Sequence, residues 1–209
     1  MSYNEMTIKD FIDVLSSKEP VPGGGGASAL IASVGIALGN MVGSLTVGKK
    51  KYADVEDEIK ELMAKSAVLM EKFQAQIDED AKCFAPLAAA YSLPKETDEE
   101  KAKRAEVMAS ALRIASEAPL RIMETVCDAI DIVEEFAAKG SRLAVSDAGV
   151  AAIALRSALF GASLNVFINT KAMEDRALAE EFNNKANDMM NTYGKKAEEI
   201  FLSVKDAVS

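Results

Sequence analysis

With no histidine among its 209 residues, this chain must move protons with Asp, Glu, Lys, Tyr or water, and Ser-His-Asp and Cys-His catalysis are excluded. A zinc site is not expected, and Cys83 and Cys127 lack metal-ligand spacing, reading instead as buried thiols. Other clusters could still handle a polar small molecule. The run Pro22-Gly23-Gly24-Gly25-Gly26 removes every Cβ over four residues, so another group can approach the backbone closely. If a helix starts just after it, near Ala27, free N–H groups and a positive dipole end face that turn, which suits an anion or an electron-rich oxygen. Lys49-Lys50-Lys51 forms a compact basic cluster, and Asp78-Glu79-Asp80 and Asp147 offer carboxylates. On the residues alone, the lysines read equally well as a solvated loop, the acidic run as a solvated helix face, and Asp147 as a helix-start residue beside Ser146.

The elements that must position these groups read as helices throughout. Thr7 caps a short helix carrying Ile8, Phe11, Ile12 and Leu15 on one face. Pro20 and Pro22 end it, and an uncharged central helix follows from Ala27 to Val47, closed by Gly48. Gly35, Gly39 and Gly43 recur at spacing four, a device for close helix packing. A long amphipathic helix is predicted from Asp54, kinked at Pro86 and stopped by Pro94. Thr97 and Glu100 form a capping box for the next helix, and Pro119 fits the first turn of a further one that ends at Gly140. Ser146-Asp147 caps a second small-residue helix from Ala148 to about Thr170, with Gly149, Gly161 and Asn165 on one line. The two small-residue helices are expected to cross closely at the centre. A final helix runs from about Glu174, with Gly194 as a mild interior defect.

No segment alternates as a strand would. The expected fold is all-α: residues 1–209 form a single domain, a bundle of long antiparallel helices around the two small-residue ones. A thin bundle of this size is expected to bury a remaining face against a second copy as a homodimer. Ala27–Val47 is long enough to span a bilayer, but its Ser, Thr, Asn and Gly content favours a buried core helix, so no membrane association is expected. A net charge of −9 argues against nucleic acid as a partner, and the N-terminal residues carry no secretory pattern, so a cytoplasmic protein is expected.

Three stretches resemble the formiminotransferase-cyclodeaminase C-terminal family. They are Pro22 through the glycines and the uncharged helix to Gly48-Lys49-Lys50-Lys51-Tyr52, Asp80-Ala81-x-x-Phe84 on to Ala90-Tyr91-x-Leu93-Pro94-Lys95, and Ser146-Asp147-x-Gly149-Val150-Ala151-Ala152 on to Gly161-Ala162-x-x-Asn165-Val166-x-Ile168-Asn169. They cover nearly the whole chain in order. One departure is Gly26, where the family often has Ser.

The resemblance implies an all-helical dimeric enzyme acting on one-carbon derivatives of tetrahydrofolate, with no cofactor beyond that carrier and no metal. The expected reaction is hydrolysis of 5,10-methenyltetrahydrofolate to 10-formyltetrahydrofolate. The alternatives are formimidoyltetrahydrofolate cyclodeaminase activity and, in another class, a non-catalytic folate-binding helical dimer. Both chemistries need a base, an acid and correct positioning. Asp80 is the expected acid–base group and Asp147 the second. Lys49, Lys50 and Lys51 are expected to meet the folate glutamate carboxylates, with Lys50 reaching the reaction centre. Pro22, Gly23, Gly24, Gly25 and Gly26 would let the pterin or p-aminobenzoate ring lie on bare backbone, and Asn165 would either tie helices together or read the pterin edge.

Overall fold

A computed structural model describes residues 2–209, in six α-helices linked by three short 3-10 turns, with no strand among the described residues. The helices are α1 (Ile8–Leu15), α2 (Gly24–Ser44), α3 (Glu56–Tyr91), α4 (Asp98–Lys139), α5 (Val145–Lys171) and α6 (Arg176–Val208). The small-residue helices α2 and α5 pack on each other and on the long hairpin of α3 and α4, and α6 closes the far side of α5. The core is mainly aliphatic, with Phe73 and Phe136 its largest fully buried side chains. Of the α1 apolar residues only Phe11 is buried, while Ile8 and Ile12 stand in solvent.

Several helix boundaries differ from the sequence reading, each for a physical reason. Helix α2 begins at Gly24, so Gly24, Gly25 and Gly26 are its first turn rather than a loop before it. It ends at Ser44, and Gly48, with φ of 79°, turns the chain four residues later. Helix α5 begins at Val145, which places Ser146 and Asp147 inside its first turn instead of at its cap. Helix α3 runs through Pro86 and ends at Tyr91, before Pro94, as expected; Pro86 is solvent-exposed, as is Lys82, whose carbonyl loses a helical donor and can turn to water.

Pro119 does not start a helix. It sits buried inside the unbroken 42-residue α4. A proline there has no N–H to give the carbonyl four residues back, which is Ala115. The side chain of Asn169, from α5, donates its Nδ2–H to Ala115 O at 2.8 Å. A tertiary hydrogen bond thus replaces the lost helical one.

The central crossing of α2 on α5 is close, but only part of the glycine stripe takes part. A Cβ on Gly35 would lie 3.0 Å from Leu155, and one on Gly161 would lie 2.7 Å from the Ser28 hydroxyl of α2. Gly39 instead seats Val133 and Phe136 of α4, and Gly43 seats Met63 and Phe136. Four residues advance a helix by slightly more than one turn, so a stripe of spacing four winds about 40° per step. The stripe therefore faces α5 at one end and α4 and α3 at the other. Gly194 is likewise a seat, not a defect: a Cβ there would come within 2.6 Å of the Phe160 ring.

By length and composition, α2 and the segment Arg142–Lys171 could each cross a membrane. In this bundle each has one face packed inside and leaves Val34, Met41, Val150 and Leu164 exposed.

Candidate functional site

The acidic run on α3 divides its labour because neighbouring positions on a helix point about 100° apart. Asp78 binds the N-terminal segment, accepting from Tyr3 N–H at 2.6 Å and Ser2 Oγ at 2.5 Å. Glu79 pairs with Arg121 of α4 at 2.8 Å. Asp80 turns inward to the start of α2. Its Oδ2 accepts the Gly26 N–H at 2.9 Å, and its Oδ1 lies where a Cβ on Gly25 would come within 2.1 Å. Only glycine at position 25 lets the carboxylate rest on this helix end.

Desolvation pushes the Asp80 carboxyl above the usual aspartate range. The Gly26 N–H opposes the shift by favouring the charged form, and Glu79 adds to it. Asp80 is therefore a carboxylate held closer to neutral pH than an exposed one, a useful property in a proton carrier.

A cleft of about 240 Å³ opens beside it, lined by residues that include Gly23, Gly24, Asp80, Phe84, Asn165 and Asn169. Asn165 donates its Nδ2–H to Gly161 O at 3.0 Å, and Asn169 donates to Ala115 O. These carbonyl partners fix both amides with Oδ1 as the remaining acceptor. The cleft thus combines one carboxylate, two amide oxygens, an apolar wall from Phe84 and Ile168, and the unsatisfied first-turn N–H of Gly24. That set can hold a flat heterocycle rich in N–H groups and pass a proton to or from it.

Of the residues expected from sequence, Gly23, Gly24, Asp80 and Asn165 line this cleft, and Gly25 and Gly26 carry Asp80. Pro22 is buried behind Gly26, at 3.5 Å from a Cβ placed there. Lys49, Lys50, Lys51 and Asp147 are not brought there within the chain. The lysines follow the other end of α2, about 30 Å away for a helix of 21 residues. Lys49 Nζ donates to Ser141 Oγ at 3.3 Å, and Lys51 lies over the Tyr52 ring at 5.5 Å. Tyr52 Oη accepts the Arg142 N–H at 3.0 Å, which ties this basic turn to the α4–α5 connection. Asp147, in the first turn of α5, shares that end of the bundle, because α5 runs antiparallel to α2. Position Asn169 carried no role in the sequence reading. Its signals were spacing four from Asn165 and the proline that frees the Ala115 carbonyl.

Comparison with known proteins bears on the family and the fold. A family model described as formiminotransferase-cyclodeaminase matches residues 7–188. A methenyltetrahydrofolate cyclohydrolase of Methylorubrum extorquens is 42% identical over 209 residues, all of both chains. A formimidoyltransferase-cyclodeaminase of Mus musculus is 32% identical over 186 residues, covering 89% of this chain but only 34% of that protein. In fold, the chain resembles a formiminotetrahydrofolate cyclodeaminase of Thermotoga maritima, with a TM-score of 0.80 over 96% of this chain and 98% of that one, at 23% identity. The chain belongs to the formiminotransferase-cyclodeaminase family.

Proposed function

We propose that this chain hydrolyses 5,10-methenyltetrahydrofolate to 10-formyltetrahydrofolate and that residues 1–209 act as one catalytic unit. The observation that carries the reading is the end-to-end 42% match to a protein named methenyltetrahydrofolate cyclohydrolase. The Asp80 cleft supplies matching chemistry without histidine. The ionised carboxylate of Asp80, steadied by the Gly26 N–H, takes a proton from the water that attacks the methenyl carbon. The tetrahedral adduct then breaks its bond to N5. Asp80 returns its proton to N5, and the adduct hydroxyl releases the second proton to solvent as the formyl carbonyl forms on N10. Asn165 and Asn169 accept hydrogen bonds from the pterin edge, and Phe84 packs on its face.

The second reading, deamination of formimidoyltetrahydrofolate, is favoured by the relatives named formimidoyltransferase-cyclodeaminase, of which this chain spans about a third. The same carboxylate would then take the N10 proton and deliver it to departing ammonia. Ultraviolet absorbance of the methenyl species with purified protein separates the two. Loss of the signal from methenyl substrate marks hydrolysis, and its appearance from the formimidoyl substrate marks deamination. Absence of both, with folate still bound, would leave only a binding protein.

We place Lys50 and Asp147 in the reaction only through a homodimer. The outer faces of α2 and α5 expose Val34, Met41, Val150, Leu164 and Ile168, with Leu45 just past α2, apolar side chains that suit a second copy. A twofold axis perpendicular to these helices lays the partner's α2 antiparallel to this one. The lysine end of one copy then lies beside the glycine end of the other.

A further inference from the structure

The reaction cleft, at about 240 Å³, is smaller than the usual pocket for a ligand of folate size. A larger cleft of about 390 Å³ lies further along α4. The two are lined by the same face of that helix. Ala115 lines the first, and Leu112, Met108 and Arg104 line the second. Their spacing of three, four and four keeps all four side chains on one helical face. Asn169 of α5 lines the first cleft and Ala172, the residue just past the end of α5, lines the second. From Ala115 to Arg104 the shared face of α4 runs about 16 Å.

The far end of this trough is basic in a chain of net charge −9. Lys95, Lys101 and Arg104 line it against one carboxylate, Glu174. Among the described residues, Arg104 and Lys95 have no ion pair, Glu174 pairs with none of the three cations, and Lys101 makes only an exposed contact to Asp98 at 3.0 Å. The Arg104 Nε is buried without a hydrogen-bond partner. An unpaired guanidinium beside an apolar strip of Met108 and Leu112 is built for a carboxylate carried on a flat, apolar spacer.

Resting on the folate reading above, we propose that this trough holds the p-aminobenzoyl-glutamate half of the substrate. The aromatic ring lies on Met108 and Leu112, and the glutamate carboxylates bind Arg104, Lys101 and Lys95. This assigns the tail to the α3–α4 end of the bundle rather than to Lys49–Lys51, and it predicts that poly-γ-glutamyl substrates bind more tightly than the monoglutamate.

The test compares wild type with Arg104→Gln, alone and with Lys101→Gln, on three substrates: methenyltetrahydropteroate, which lacks glutamate, and the mono- and triglutamyl methenyltetrahydrofolates. The expected result is a KM increase of about ten- to hundredfold for the glutamylated substrates. The increase should be largest for triglutamate, with kcat and the pteroate KM unchanged. Equal effects on all three substrates, or loss of the triglutamate preference on Lys49→Ala or Lys51→Ala instead, would overturn the assignment. Calorimetric binding of p-aminobenzoyl-triglutamate needs no turnover and separates the two levels of the proposal. Arg104-dependent binding without turnover supports the trough and faults the activity. Turnover with an Arg104-independent KM faults the trough and leaves the activity. No binding of the fragment to wild type rejects the trough.

Discussion

The two ends of α2 are opposites. At the glycine end, one desolvated carboxylate rests on bare backbone and faces a cleft. At the other, Lys49, Lys50 and Lys51 are exposed, and two of the three already have neighbours, Ser141 and the Tyr52 ring. The glycine end has little charge but holds it where water is scarce and its effect is large. The lysine end has more charge, screened by solvent. A motif that runs unbroken in the sequence is therefore split between two ends of the bundle, and within the chain only the glycine end adjoins the Asp80 cleft.

The comparison can be broken hardest at Asp80. Asp80→Asn keeps an acceptor for the Gly26 N–H but cannot take a proton, and turnover should fall by about 10²- to 10⁴-fold. On the homodimer proposed above, Lys50→Ala should cost less, and mixing it with Asp80→Asn should restore activity at one site of the heterodimer. The pH profile of wild-type kcat/KM should rise with an apparent pKa above that of an exposed aspartate, following the direction of the Asp80 shift. Stability has the opposite sign. Native Asp80 keeps its proton to higher pH than the unfolded chain does, so stability falls as pH rises through that window and stays lower above it. Asp80→Asn should therefore raise Tm at neutral pH, and the gap should close below about pH 4, where the unfolded aspartate is itself protonated.

Gly25→Ala comes next. A methyl group where Oδ1 now sits forces the carboxylate away, and a displacement of about 1 Å is enough for a hundredfold loss of turnover. The helix itself gains from alanine, so the variant should fold and circular dichroism should match wild type. Asn169→Ala leaves the Ala115 carbonyl without its donor and should cost about 1–3 kcal/mol in chemical denaturation. The smallest effect belongs to Gly26→Ser. A Cβ there meets nothing nearer than 3.5 Å, so stability should move by less than about 0.5 kcal/mol. Substitution at the lysine end that matched Asp80→Asn in a monomeric variant would erase the contrast between the two ends.

The all-helical fold was legible because apolar residues recur at three and four in every long segment, as at Val126, Ile130 and Val133. Helix ends were less legible. Gly24, Gly25 and Gly26 have poor helix propensity, yet packing against Asp80 and Asn165 holds them in the first turn of α2. Pro119 looked like a beginning because local rules cannot see Asn169, fifty residues away. Asp80 in the site was legible through the resemblance and not through the residues around it, since Asp78 and Glu79 have the same chemistry and face elsewhere. The separation of the lysines from the glycines was available from arithmetic: a 21-residue helix keeps its ends about 30 Å apart. What no linear reading supplied was the trough along α4, because Arg104 becomes a binding group only when α5 and the α3–α4 turn wall it in.

The bond from Asn169 to the Ala115 carbonyl has a consequence for how such a chain can change over generations. Pro119 creates a vacancy that Asn169 fills, so the asparagine cannot drift while the proline remains. Replacing the proline restores the helix's own donor and releases the amide; replacing the asparagine first strands the carbonyl. Descendants would be expected to keep both residues or lose the proline first, which makes these two positions a linked pair in inheritance.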